Sequence, residues 1–306
     1  DESQVVGGYD NGDIRRWKIE DGQQQGPTMQ AGSKINSIVV SRDGQLIVSG
    51  DPGKVLVWNG ATHEKAPQFP GHGGYAWAVD ISSDSTKIAA VDGTCGNSIH
   101  IRTPSGDRLL PPLPHHYVRA VKFSPDGSRF ASTSADSGSR VYNTHNGDIL
   151  FDSGPGGSTD APLSHNSLAW SSDGQQLFVP GARKILCFDV SKPLYSEWSI
   201  HPTQSRICVA SNSKFIACAT GSSVSLWDCV SHKQISGIIT YPTEIKCVTL
   251  SPSGKYLACG VGTSITICDL RDVLSSEYFS GLVSVHPRMK LTSLTIITLR
   301  NVSICR

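Results

Sequence analysis

Ten histidines, nine cysteines and a Ser-rich background are the residue types in this 306-residue chain that could do chemistry. His72, His115, His116, His165, His201 and His286 fall in predicted connections between strands, where metal ligands could converge. Their spacing argues against it. Zinc sites draw on short fixed intervals such as H-x-x-x-H, H-E-x-x-H or a Cys/His finger, and none of these occurs. A hydrolase would announce itself by a G-x-S-x-G elbow, which is absent, and no Ser, His and Asp stand out as a triad. The phosphate-cradling patterns G-x-x-x-x-G-K-[ST] and G-x-G-x-x-G before a helix are missing too. No catalytic residue, metal or cofactor is therefore assigned, and the chain is not expected to be an enzyme. The nine cysteines contain no C-x-x-C pair, and several lie in apolar runs such as Phe215-Ile216-Ala217-Cys218, which suits buried free thiols in a reducing, cytoplasmic setting.

The elements that would carry any site come from a repeat. Its clearest copy reads Val118-Arg119-Ala120-Val121-Lys122-Phe123, the turn Ser124-Pro125-Asp126-Gly127, Phe130-Ala131-Ser132-Thr133-Ser134, then Arg140-Val141-Tyr142-Asn143 and Gly147-Asp148-Ile149-Leu150. Pro presets φ and Gly supplies positive φ, so the Ser-Pro-Asp-Gly segment reverses the chain between two strands. Related turns recur at Ser41–Gly44, Ser82–Ser85, Ser171–Gly174 and Ser251–Gly254, with a shortened one at Ser211–Ser213. Seven third strands end at Trp17, Trp58, Arg102, Tyr142, Phe188, Trp227 and Cys268, spaced by 39 to 46 residues. That spacing suits a four-stranded blade.

This pattern resembles the WD-repeat family, over essentially the whole chain. The resemblance implies an all-β, seven-bladed β-propeller of four-stranded antiparallel blades around a central channel. It also implies hydrogen-bonded sets of His, Ser or Thr, Asp and the third-strand aromatic. His116, Ser132 or Thr133, Asp136 and Tyr142 could form one, and Gly71-His72 with Asp92 a partial one. Asp10 and Asp51 occupy the turn in the first two copies, whereas Ala182 and Ser222 replace it later.

The domain expected is a single propeller over 1–306. Blade 1 runs from 4–30, with further blades near 34–70, 75–113, 117–152, 165–200, 205–239 and 245–280. The first copy starts at its second strand, Val5-Val6-Gly7-Gly8, so a C-terminal strand near 290–297 is expected to complete it. A rival reading starts an eighth repeat at Val302-Ser303-Ile304-Cys305, which resembles Ile265-Thr266-Ile267-Cys268.

Function is expected on the face formed by the blade entrances, where WD-repeat proteins commonly bind partners. Alignment to Arg119 gives Asn36, Trp77, Asn166, Lys246 and, approximately, Arg206, with Tyr75 and Tyr117 just upstream. Trp, Tyr and Arg dominate interface energies, so these are the candidate partner-binding residues. Two connections could overhang that face: the Pro-rich Leu109–His116 and the Gly-rich Phe151–Asp160. With 27 Lys+Arg against 26 Asp+Glu, a net charge of +1 provides no field to hold nucleic acid, and no stretch approaches a membrane span. Nor does the N-terminus show a secretory signal pattern. The expected activity is a non-catalytic protein–protein interaction scaffold or recognition module, possible as part of a larger signalling or regulatory protein. A carbohydrate-binding propeller is the alternative, although its pocket should repeat from blade to blade and these residues do not.

Overall fold

The computed structural model describes residues 2–66, 76–92, 98–155, 168–181, 184–192, 194–200, 207–212, 214–262 and 264–279. Seven antiparallel sheets follow one another along the chain. Blade 1 contains β1 (Gln4–Gly8), β2 (Asp13–Lys18) and β3 (Met29–Gln30), and blade 2 contains β4 (Ser37–Val40), β5 (Leu46–Asp51) and β6 (Lys54–Asn59). Blade 3 has β7 (Ala76–Ile81), β8 (Ile88–Asp92), β9 (Ser98–Arg102) and β10 (Leu113–Pro114), and blade 4 has β11 (Val118–Phe123), β12 (Arg129–Ser134), β13 (Ser139–Asn143) and β14 (Ile149–Asp152). In blade 5 come β15 (Ala169–Trp170), β16 (Gln176–Gly181), β17 (Lys184–Asp189) and β18 (Leu194–Ser199). Blade 6 follows with β19 (Ile207–Ser211), β20 (Phe215–Thr220), β21 (Ser223–Asp228) and β22 (Ile239–Thr240), and blade 7 with β23 (Ile245–Leu250), β24 (Tyr256–Val261) and β25 (Ser264–Asp269). Two short 3-10 turns, Leu270–Asp272 and Ser276–Phe279, follow blade 7. The chain is the seven-bladed β-propeller its repeats imply. The closing strand near 290–297 and the rival eighth repeat lie outside the described residues.

The first hairpins of blades 2 to 5 are built by the same local bonds. Ser41 Oγ donates to Asp43 at 2.5 Å and accepts from the Leu46 N–H at 2.9 Å. Ser82 with Asp84, Ser124 with Asp126 and Ser171 with Asp173 repeat the first bond, and each Ser Oγ again accepts from the N–H five residues on. The turn's fourth residue has φ of 66–75° at Gly44, Gly127, Gly174 and Gly254, a region glycine enters without steric cost. Ser85 takes the same conformation at φ 61° without that freedom.

Packing between blades accounts for strands that are apolar on both faces. One buried cluster joins Ile14 and Met29 of blade 1 to Ile38 and Ile47 of blade 2. Others join each consecutive pair through to blade 6. The largest unites blades 6 and 7 and reaches Tyr9, Val5 and Trp17 of blade 1, so the apolar contact runs completely round the ring. Blades approach closely: a Cβ on Gly50 would lie 2.9 Å from the Ala76 carbonyl oxygen of blade 3.

Candidate functional site

The entrance face is where the first strands of the blades begin, and three of these beginnings are bulged. Register slips between Ala76 and Val79, between Val118 and Ala120, and between Ile245 and Cys247. A bulge places an unpaired residue on one strand and re-aims its side chain. The residues within these slips include Trp77, Arg119 and Lys246, all half-buried. Three of the sequence-predicted residues thus share one local geometry. Signs of it in the sequence were limited to the alignment.

Trp77 lies with the Arg119 guanidinium carbon 6.0 Å from its ring centroid, at the outer limit of a cation–π contact. Its ring also packs against the cluster between blades 3 and 4. Tyr117 is 55% exposed and holds φ of 46°, unusual for an aromatic residue. Lys246 reaches Asp10 at 3.7 Å, and Lys34 approaches the same carboxylate at 3.1 Å.

Asn36 departs from the expected rim. It is buried, its backbone N–H donates to the Gly50 carbonyl, and its side-chain amide donates to the Ala76 carbonyl across to blade 3. The physical reason is register: β4 pairs with β5 from Ser37 onward with no slip, so nothing turns Asn36 outward. Tyr75, Asn166 and Arg206 lie outside the described residues.

The Pro-rich connection also differs from expectation. Leu113 and Pro114 pair with Ile99 and Ser98 as the outer strand of blade 3, while Leu110 is buried. An outer edge accommodates proline because no N–H is needed there. Of the Gly-rich segment, Phe151 and Asp152 belong to the outer strand of blade 4, and residues 156–160 lie outside the described residues.

The polar set in blade 4 is built differently from the resemblance. His115, not His116, enters the blade: its Nδ1 lies 2.7 Å from Ser132 Oγ. His116 is exposed, its carbonyl accepts from Ser134 Oγ, and Asp136 accepts from the hydroxyls of Ser134 and Ser137. Tyr142 stacks on Phe130 with ring centroids 4.8 Å apart. Gly71 and His72 lie outside the described residues; Asp92 faces His100 at 3.8 Å. Burial, reinforced by the Arg140 charge, pushes the His115 imidazole down to about 4. A histidine beside a serine hydroxyl has the geometry of a base and nucleophile. Yet His115 is 1% and Ser132 0% exposed, so no substrate carbon reaches the oxygen from solvent. The pair is structural. Among the described residues, no three His, Cys, Asp or Glu side chains converge as a metal site.

Asp80, in the middle of an apolar strand, was missed. Its two oxygens accept from the Phe123 N–H at 2.8 Å and meet Lys122 Nζ at 3.2 Å, tying blade 3 to blade 4. The chain of bonds continues as Trp170 Nε1 donates to the Lys122 carbonyl and Ser211 Oγ donates to the Trp170 carbonyl. These links hold the first strands of four consecutive blades in fixed relation. The signal was a lone carboxylate in Ala-Trp-Ala-Val-Asp-Ile, because buried carboxylates require partners.

Comparison with known proteins agrees with this architecture. The WD domain, G-beta repeat family model matches residues 25–59 and 108–143. A guanine nucleotide-binding protein subunit beta-like protein of Encephalitozoon cuniculi is 26% identical over 249 residues, 72% of this chain and 73% of its own length. Eukaryotic translation initiation factor 3 subunit I of Coccidioides immitis is 27% identical over 48% of this chain and 43% of its own. A serine-threonine kinase receptor-associated protein of Gallus gallus is 26% identical over 48% of this chain and 40% of its own. The latter two matches therefore span less than half of those relatives. Among the described residues, no helix is long and apolar enough to cross a membrane.

Proposed function

We propose, from the premise that the chain is a WD-repeat β-propeller, that it works as a non-catalytic protein-interaction scaffold whose partner docks on the blade-entrance face. The observation that carries this reading is the placement of Trp77, Arg119 and Lys246 at three bulged strand entrances, with the exposed Tyr117 beside Arg119. An aromatic ring and cations re-aimed from a rigid ladder supply large contact area at little ordering cost. The printed names of two relatives, a subunit of an initiation factor and a receptor-associated protein, belong to proteins that work in assemblies, which favours a scaffold over a solitary enzyme. Tyr75, Asn166 and Arg206 extend the proposed face on sequence alignment alone, and Asn36 supports it from beneath by fixing blade 2 to blade 3. The entrance residues differ chemically from blade to blade, so nothing favours a repeated sugar pocket.

The test is affinity capture from native lysate with the intact chain and with Trp77→Ala/Arg119→Ala. Both side chains are half-buried, so thermal unfolding is measured alongside. A partner retained by the intact chain and lost by a variant with an unchanged thermal transition supports the reading. Equal capture by both proteins moves the docking surface elsewhere. No protein captured by either removes the scaffold reading.

A further inference from the structure

In three blades the third strand ends on a tryptophan paired across the ladder with a polar residue: Trp17 with Gln24, Trp58 with Lys65 and Trp227 with Gln234. In blade 3 the same bridge joins Arg102 to Arg108. Cross-strand partners share a face, and like charges directly opposite destabilise a ladder. The face is the one toward blade 2. Ile99 and Ile101 pack with blade 4, so alternation turns Ser98, His100 and Arg102 the other way, beside Ile88 and Ala90 in the cluster shared with blade 2.

Arg102 is only 6% exposed, whereas Arg108 stands at the surface. Of the N–H groups on the Arg102 guanidinium, Nη1 donates to the Gly106 carbonyl at 2.9 Å. Its Nε is buried with no acceptor. The tryptophans do not share this deficit, because Trp58 Nε1 donates to Ser49 and Trp227 Nε1 to Ser225. By register Ala90 holds the place of Ser49, and a methyl group accepts nothing. Among the described residues neither arginine forms an ion pair. Asp107, between Gly106 and Arg108, instead accepts from the hydroxyls of Thr103 and Ser105, and Asp92 faces His100. Burial and then the Arg108 charge both act against the Arg102 proton. A buried charge without a partner costs several kcal/mol, roughly, until an opposite charge meets it.

The geometry points to an anion site between blades 2 and 3, in which Arg102 and Arg108 together hold a phosphate group, either free phosphate or a phosphate monoester. Nε and Nη2 form one edge of the planar guanidinium, the fork that takes two oxygens of a single oxyanion, and on Arg102 the Gly106 carbonyl lies on the remaining nitrogen. A tetrahedral dianion matches two guanidinium charges and presents oxygens to both, whereas one fork satisfies a planar carboxylate. Arg108 marks the mouth and Arg102 the base. Arg102 pairs with Ile88, which pairs with Ile81 at the end of the first strand, so the site lies at the opposite end of blade 3 from Trp77.

The experiment is calorimetric titration of the full chain at constant ionic strength with inorganic phosphate, with phosphoserine and with succinate as a dianionic carboxylate. Arg108→Gln is expected to weaken phosphate binding by about tenfold, the loss of a charged hydrogen bond. Arg102→Trp/Arg108→Gln copies the Trp227 and Gln234 pair of blade 6, and is expected to keep a cooperative thermal transition while losing phosphate binding altogether. Tighter binding of phosphoserine than of phosphate assigns the site to an ester carried on a larger molecule; the reverse order assigns it to free phosphate. No heat from phosphate or phosphoserine with the unaltered chain, unchanged affinity in the double variant, or succinate bound as tightly as phosphate overturns the proposal. Should the double variant not fold, Arg108→Gln decides alone, since its side chain is exposed: unchanged affinity overturns the site. Trp77→Ala/Arg119→Ala is expected to leave phosphate binding unchanged, which separates this site from the entrance face.

Discussion

His115 shows how a single side chain acquires its role from burial. It is held neutral down to about pH 4 in the fold, whereas an unfolded histidine titrates near 6.5. Between those values only the unfolded chain takes up the proton, so this group's contribution to stability is lost as pH falls from about 6.5 to 4. The loss reaches about 2–3 kcal/mol near the lower end. His115→Asn removes it, and urea denaturation at pH 7 and 4.5 should show a pH-dependent drop smaller by about that amount than in the unaltered protein. Equal drops would show that another group is responsible. The sequence pointed to a histidine in this connection but took His116, since two adjacent histidines differ only in which one the ladder turns inward.

At the scale of the element, the turn after each first strand is the unit that sequence reading recovered best. Its serine, aspartate and glycine act through bonds within five residues, so spacing alone specifies them. The exception is also legible. Ser85 adopts the left-handed conformation that glycine occupies in four sister turns, and an L-residue there is strained by roughly 1 kcal/mol. Ser85→Gly is expected to raise stability by about 0.5 kcal/mol after the extra chain entropy is subtracted, read as a higher urea midpoint at unchanged slope. An unchanged or lower midpoint would mean that Ser85 is relaxed. Bulges, by contrast, were not readable. Whether Trp77 falls within a bulge and Asn36 is buried beside an unbroken ladder depends on one residue of register against the second strand, and no local pattern sets it.

The whole molecule adds a property that no blade has alone. Seven free cysteines among the described residues are all buried, at the interfaces of blades 5, 6 and 7. Burial raises the thiols of Cys187 and Cys268 to about 11 and those of Cys218, Cys229 and Cys259 to about 12, far from the reactive thiolate. In a ring each face is covered by a neighbour, so one interface opens only with the others. Cys218 and Cys259, in different interfaces, are therefore expected to label with a thiol reagent at the same slow rate, and rapidly together in denaturant. Rates that differ severalfold under native conditions would show that blades open singly.

The sequence by itself determined the all-β class, the seven repeats and their turns, because these arise from residues close together along the chain. It also nominated Trp77, Arg119 and Lys246, and it marked the missing inner strand of blade 1. Tertiary structure alone decided which of two histidines is buried, that Asn36 is a brace, and that Asp80 and Glu2 join blades. These outcomes depend on partners 17 to 251 residues away, such as Ser132 for His115, Ala76 for Asn36, Phe123 for Asp80 and Ser253 for Glu2. Periodicity describes one blade at a time, and the contacts that turn seven blades into a surface lie between them.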